Sequence, residues 1–315
     1  MLPKVYIDGH VGTTGLRIRE WLAGRNDIEL LTLAEAQRKS EAARRTVLDE
    51  ADVAILCLPD AASREAAEWA AHTNTRLIDA STAHRVEDGW VYGLPELQPD
   101  QREAIRQAKY VANPGCYPSA FLLLVRPLLE AGLIEKHTPI SIHALSGYSG
   151  GGRPLIEKWE DTELGLGSLV YEAPYALERV HKHVPEMTKY SLLDCAPHFV
   201  PAVGPFRCGM RVQVPIHTSL LQRGAGDSIW EVLRERYRHE PFVRVLPNEQ
   251  QTNERSFDPQ ACNDTNRLDI HVAPHPAGHV LLIAILDNLG KGACGVAIQN
   301  LNLMLGLPET TGLPA

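Results

Sequence analysis

KVYIDGHVGTTG, residues 4–15, is the stretch on which the fold turns. A short apolar run passes through Asp8 into a loop where Gly9, Gly12 and Gly15 recur in G-x-x-G-x-x-G spacing, and the helix-capable segment TGLRIREWLAG (14–24) follows at once. Glycines let a backbone turn tightly and come close to a pyrophosphate, whose charge then rests on the positive end of the next helix. The strand before and the helix after give this pattern its weight as a dinucleotide loop. Thr13 and Thr14, inside the same loop, join the glycines as candidate cofactor contacts.

Outward from that loop the chain alternates. IELLTL (28–33), DVAILCLP (52–59), TRLIDAS (75–81) and KYVANP (109–114) read as strands, and AEAQRKSEAARRTVLDE (34–50) and DAASREAAEWAAH (60–72) as the helices between them. Strands alternating with helix-length segments predict right-handed βαβ units and a Rossmann-type, doubly wound parallel sheet, an α/β fold over residues 1–115. Sites that bind NAD carry an acid about 20 residues past the loop. Here the second strand ends at Thr32, small and neutral, with Arg38 and Lys39 a few residues on to meet a 2′-phosphate, although Glu35 lies between them. NADP is the expected cofactor. Pro59 and Ser81, at the ends of the third and fourth strands, are further candidates for holding it.

From about residue 139 the pattern changes. PISIHALSG, HFVPAVG, RCGMRVQVPI, FVRVLP, NRLDIHVAP and HVLLIAILDN are strands with few helices between them, the helices being expected near 119–131, 185–193 and DSIWEVLRERYRHE. This predicts an α+β catalytic and oligomerisation domain on a mixed sheet over residues 116–287. SGYSGGGR (146–153) reads as a glycine-dense loop. The closing LGKGACGVAIQNLNLMLG returns to helical spacing, and 288–315 is expected to complete the first domain.

The 315 residues carry a net charge of −8, with 44% hydrophobic and 22% charged residues. An acidic chain of this kind argues against non-specific nucleic-acid or anionic-membrane binding. No apolar run reaches the roughly 18–20 residues of a membrane span, and the N-terminus enters a strand without a signal-peptide pattern, so a cytoplasmic chain is expected. Six widely spaced cysteines make no C-x-x-C pair, which favours neither a zinc ribbon nor a disulfide framework.

One of these thiols stands apart. In YVANPGCYPSA (110–120) Cys116 lies between a strand and the apolar run SAFLLLVRPLLEAGL, and Pro118 suits the first turn of a helix. A helix N-terminus stabilises a thiolate, so Cys116 is the candidate nucleophile. The segment YEAPYALERVHKHVPEM (171–187) brings His181 and His183 around Lys182, with Glu186 at the start of a helix. Either histidine is a candidate general acid or base, and Glu186 is placed to orient an imidazole or a substrate amine. His-x-His without a cysteine or third histidine close by is a weak zinc signature. His271, His275 and His279, broken by prolines, read as loop and strand-end residues, and no metal site is expected.

ANPGCYPSA, YALERVHKHVPE, DASTAHR, YGLPEL, SGYSGGGR and the closing DNLGKGACGVAIQNLNLMLG together resemble the short form of the N-acetyl-γ-glutamyl-phosphate reductase family, which sits with aspartate-semialdehyde dehydrogenase. The resemblance spans essentially the whole chain. It implies an NADPH-dependent reduction of an acyl phosphate in arginine biosynthesis, with Cys116 forming a thioester and His181 or His183 as the acid. It places Gly147 and Asn288 at the cofactor, and Asn113, Ser149, Tyr175 and Lys182 at the substrate. Arg85, after the fourth strand, is expected to clasp the phosphate. A small-molecule substrate and a homodimer or homotetramer are implied as well. An aspartate-semialdehyde or N-acetyl-aminoadipyl-phosphate enzyme is the neighbouring reading; a cysteine hydrolase or a non-catalytic NADP-sensing protein is the more distant one.

Overall fold

Each of the strand-like apolar runs in the first 115 residues becomes a parallel strand. In chain order these are β1 (Lys4–Asp8), β2 (Glu29–Leu31), β3 (Val53–Leu56), β4 (Arg76–Asp79) and β6 (Tyr110–Ala112), with the short β5 (Val91–Tyr92) added at the edge. The sheet order is β2-β1-β3-β4-β6-β5 and every pairing is parallel. Helices α1 (Thr13–Leu22), α2 (Glu41–Glu50), α3 (Asp60–Ala70) and α4 (Gln101–Gln107) connect the strands. The chain leaves β1 for one side and returns to β3 on the other, so the carboxyl ends of β1 and β3 form the switch point where ligands gather in such sheets.

The computed structural model describes residues 1–178, 180–222, 225–247, 253 and 255–315. The chain divides into two units: Met1–Pro114 with Ala293–Leu313, and Gly115–Gly292 with Pro314–Ala315. The first unit therefore takes back the end of the chain. Helix α9 (Gly295–Met304) is buried along its whole length, and its Ala297, Ile298 and Leu301 share an apolar cluster with Val5, Ile7 and Ile18. The sequence reading gave 288–315 to this unit; in the structure residues through Gly292 stay with the second. A π-turn, Gly290–Cys294, leads into α9. Such turns are rare and collect at functional sites.

The second unit holds a mixed sheet of seven strands, in the order β11-β12-β13-β10-β7-β9-β8. The strands are β7 (Ser141–Gly147), β8 (Ala173–Pro174), β9 (His198–Gly204), β10 (Met210–Ile216), β11 (Val243–Val245), β12 (Leu268–Pro274) and β13 (Val280–Leu286). Pairings β7–β9 and β11–β12 are parallel and the others antiparallel. Helix α5 (Cys116–Glu130) runs against this sheet with Tyr117 through Leu128 buried without a break, which explains its largely apolar sequence. Truncating Phe121 or Leu123 there to Ala is a core deletion worth about 2–5 kcal/mol. Helices α7 (Val184–Ser191) and α8 (Ile229–Tyr237) pack on α5.

Two helices depart from the sequence expectation, α4 and the one that follows the glycine-dense loop. The glycine-dense loop passes straight into α6 (Gly152–Glu160). Pro154 falls in the first turn of α6, where a missing N–H costs nothing, so a residue that reads as a breaker opens the helix instead. No helix among the described residues is long and apolar enough to cross a membrane.

Candidate active site

The first unit carries the nucleotide cradle. Gly9 adopts φ +89° just past β1, and a β-carbon there would lie 2.3 Å from the carbonyl oxygen of Cys57, across the switch point. Gly15 is pressed equally hard, its hypothetical β-carbon falling 2.4 Å from the Gly9 oxygen. Only glycine permits both approaches. Gly12 caps α1 and donates its N–H to Gly9 O at 3.0 Å, leaving Thr13 and Thr14 in the first turn, where free amides suit an anion. Asp8, at the mouth of this loop, would repel a phosphate. Arg44 of α2 prevents that, gripping both carboxylate oxygens at 3.0–3.2 Å. Arg44 was not legible as a site residue, because its partner lies 36 positions away.

Beyond β2, Thr32 and Lys39 are exposed and Arg38 is half-buried. Arg38 Nε pairs with Glu35 at 2.8 Å, so the acid that competes for a ribose hydroxyl is held by the cation beside it. Pro59 caps α3 at the carboxyl end of β3. At the end of β4 a buried carboxylate organises the DASTAHR turn. Asp79 accepts from Ser63 Oγ (2.9 Å), Ser81 N (2.9 Å) and Ser81 Oγ (2.8 Å), and His84 Nδ1 lies 2.6 Å away. The His84 ring stacks on Trp90 at 4.0 Å. This hub fixes the turn that bears Arg85, a buried arginine that donates to Ala80 O. Ser81 Oγ thus serves the turn. Asn113 likewise spends its carboxamide inside the unit, donating to Ala293 O at 3.0 Å.

The second unit holds the thiol. Cys116 is the first residue of α5, with Gly115 as cap, so it sits in the turn where amide N–H groups lack helical partners. The buried carboxylate of Glu186, in the first turn of α7, accepts the Gly115 N–H at 2.9 Å. Glu186, expected to orient an imidazole or a substrate amine, is therefore built into the hinge that positions the candidate nucleophile. On the other side Gly292 closes in, since a β-carbon added there would fall 2.8 Å from Cys116 Cβ. Cys262, by contrast, is a buried thiol whose pKa is pushed up to about 11, chiefly by burial. It is a core residue.

Tyr117, Tyr175, His181 and His183 line the space beside Cys116, and Phe199 packs against the Tyr117 and His181 rings. Tyr117 stands edge-on to Phe199 at 5.0 Å, and His181 to His183 at 4.9 Å. His181 Nδ1 accepts the His183 N–H at 3.2 Å, which puts the neutral ring's proton on Nε2, 3.3 Å from Tyr175 Oη. Tyr175 in turn donates to Tyr117 Oη at 3.3 Å. Burial pushes Tyr175 up to about 12, with the nearby Cys116 charge adding to it, and Tyr117 is held well above its usual range for the same leading reason. Both hydroxyls thus remain neutral donors. Tyr175 is aimed by the two-residue β8 and by Ala176, which takes φ +52° immediately after it.

Cys116, Gly147, Tyr175, His181, Lys182 and His183 line one cavity of about 670 Å³. Six of the expected site residues thus line the same cavity. Behind it, Asn288 is buried, accepting from Gly209 N at 2.8 Å and donating to Ser149 Oγ at 2.9 Å. Tyr117, Phe199, Gly292 and the α6 residues that close the cavity were not singled out in the sequence. Aromatic or glycine residues inside apolar runs carry no local mark of a site. Among the described residues no group of three or more His, Cys, Asp or Glu side chains is arranged to hold a metal.

Known proteins place this arrangement. Residues 4–108 match the family model described as semialdehyde dehydrogenase, NAD binding domain, and residues 116–288 match semialdehyde dehydrogenase, dimerisation domain. The fold is shared with aspartate semialdehyde dehydrogenase II from Vibrio cholerae, at TM-score 0.73 and 17% identity over 97% of this chain and 99% of that one. It is shared also with the Candida albicans aspartate semialdehyde dehydrogenase solved with NADP, at TM-score 0.64 and 13% identity over 97% and 99%. N-acetyl-gamma-glutamyl-phosphate reductase 2 of Nostoc sp. is 46% identical over 99% of both chains. The Pseudomonas putida protein of the same name is 45% identical over 98% of this chain and 99% of its own. Two semialdehyde dehydrogenase domains in order, and full-length similarity at that level, make this chain a member of the N-acetyl-γ-glutamyl-phosphate reductase family.

Proposed function

We propose that the chain is an NADPH-dependent reductase of N-acetyl-L-glutamyl 5-phosphate, releasing N-acetyl-L-glutamate 5-semialdehyde and phosphate in arginine biosynthesis. One observation carries the choice of substrate. The cavity that opens on Cys116 is lined by two lysines, Lys158 and Lys182, and by no carboxylate among the described residues. A free ammonium finds no partner there. A substrate whose amine is capped as an amide and whose α-carboxylate is charged suits such a wall. That favours the N-acylated acyl phosphate over its aspartyl counterpart.

The Cys116 thiolate attacks the acyl carbon, the carbon–sulfur bond forms as the carbon–oxygen bond to phosphate breaks, and one difficult step becomes two easier ones. Lys182, beside the reacting end, and Arg85 are the cations offered to the departing phosphate. NADP is held by the Gly9–Gly15 loop, with Arg38 and Lys39 for its 2′-phosphate and Pro59, Ser81, Gly147 and Asn288 as further contacts; bound as NADPH, it supplies the hydride. The cramped backbone at Gly9 and Gly15 supports this, since it leaves the loop amides open to a pyrophosphate. Tyr175 and Tyr117, kept neutral, and the α5 amides stabilise the thiohemiacetal oxyanion on Cys116. His181 or His183 then gives its proton to the departing Cys116 sulfur as the oxyanion collapses to the aldehyde. The chain acts as a homodimer or homotetramer in the cytoplasm.

The test is the reverse reaction, phosphate-dependent reduction of NADP⁺, with N-acetylglutamate semialdehyde against aspartate semialdehyde. The expected preference in kcat/KM for the N-acetylated aldehyde is about a hundredfold or more, the scale at which a site rejects a substrate with an unpaired charge. Equal rates, or a preference for aspartate semialdehyde, would overturn the assignment.

A further inference from the structure

One wall of the cavity is made by α6. Leu155, Lys158 and Trp159 all line the cavity. They stand at i, i+3 and i+4 on α6, and so share one face of that helix. Trp159 is buried, with its ring stacked on Tyr148 at 5.9 Å, and Leu155 is pressed so closely on Gly151 that a β-carbon there would meet it at 2.4 Å. These two form a fixed apolar surface. The charges on the same helix are unevenly settled. Glu157 pairs with Arg153 at 2.7 Å, and Glu160 with Arg207 at 3.1 Å. Among the described residues Lys158 has no ion-pair partner, although it faces a cavity without a carboxylate. An ammonium with no counter-ion beside an apolar shelf is a receptor for a carboxylate next to a small apolar group.

We infer that α6 reads the end of the substrate remote from the reacting carbon, Lys158 pairing with the α-carboxylate while Leu155 and Trp159 hold the methyl of the N-acyl cap. This rests on the substrate class proposed above and extends it to specificity-determining residues. Lys182 is the less suitable partner for that carboxylate. It stands between His181 and His183, at the end where the thiol reacts.

Three aldehydes separate the two contacts in the reverse assay. N-acetylglutamate semialdehyde carries both groups, glutarate semialdehyde only the carboxylate, and 4-acetamidobutanal only the acylamino group. Lys158→Met, which keeps the stem and removes the charge, should raise KM for the first two by about tenfold or more and leave 4-acetamidobutanal within about twofold, with kcat unchanged. Leu155→Ala should do the converse, raising KM for the two acetamido aldehydes and sparing glutarate semialdehyde. A uniform loss across all three aldehydes in Lys158→Met, or no loss in any, overturns the inference. If wild type itself prefers aspartate semialdehyde, the substrate class fails and the α6 assignment falls with it. If wild type prefers N-acetylglutamate semialdehyde and Lys158→Met is indistinguishable from it, only the α6 assignment falls.

Discussion

Glu186 Oε2 accepts the backbone N–H of Gly115 at 2.9 Å, so a buried carboxylate from one helix terminus fastens the cap of the helix that begins with Cys116. The bond needs an acceptor and makes no demand for a charge. Glu186→Gln should therefore melt close to wild type. Glu186→Ala strands a buried N–H and should cost about 1–3 kcal/mol. Thermal melts of both variants decide the matter, and a glutamine variant as unstable as the alanine one would mean that the negative charge is what the hinge requires.

Gly292 meets Cys116 from the opposite side, with no room for a β-carbon within 2.8 Å of Cys116 Cβ or 3.1 Å of Asp287 O. Overpacking of this kind typically costs about 1–3 kcal/mol and is relieved by shifting the neighbours. Gly292→Ala should displace the thiol, lowering kcat by more than about tenfold. The alkylation rate of Cys116 by iodoacetamide should fall in parallel. Unchanged alkylation and turnover would show that the sulfur has space to move.

Arg38 and Lys39, just beyond β2, are proposed to meet the 2′-phosphate that distinguishes the two nicotinamide cofactors. Replacing both by alanine should raise the Kd for NADPH about tenfold or more, while NADH, which has no such phosphate, changes by less than about twofold. Fluorescence titration of the variant with each cofactor measures both. Equal losses would mean that these side chains face elsewhere.

Arg85 is held on the Asp79-centred turn at the end of β4. Lysine keeps the charge but not the planar fork, so Arg85→Lys should raise KM for phosphate by roughly ten- to a hundredfold, the worth of a lost charge-assisted pair, with NADP⁺ saturation little changed. A phosphate titration at saturating cofactor and aldehyde reads this directly. Unchanged saturation would leave Lys182 as the better phosphate partner.

Most of the parallel sheet was legible because each strand is an apolar run bounded by a helix of ordinary length. The strands that escaped, β5 and β8, have two residues each and leave no period to detect. Helix α6 was hidden because it opens straight out of the stretch read as a glycine-dense loop, with Gly152 and Pro154 in its first turn. Cys116 announced itself through position, a thiol at a strand-to-helix junction with Pro118 beyond it. The contacts that support it did not, although Glu186 itself was singled out beside the histidines. Glu186 reaches Gly115 across 71 residues, and Gly292 approaches Cys116 from the far end of the unit. Contacts of that range depend on how the sheet and helices close, which no local pattern encodes. Lys158 belongs to the same class, since a lysine on a helix reads as solvated until the cavity before it is seen.

The covalent role of Cys116 is the centre of the account, and a single-turnover measurement in phosphate-free buffer tests it most directly. Enzyme mixed with NADP⁺ and N-acetylglutamate semialdehyde should produce a rapid burst of NADPH equal to the enzyme present, then stall. Mass spectrometry should find the acyl group on the peptide that contains Cys116, and added phosphate should release it. Cys116→Ser, whose hydroxyl is hardly ionised at neutral pH, should bind the cofactor and give no burst. A burst of undiminished size in Cys116→Ser, or a wild-type rate indifferent to phosphate with no acylated peptide, would contradict the account.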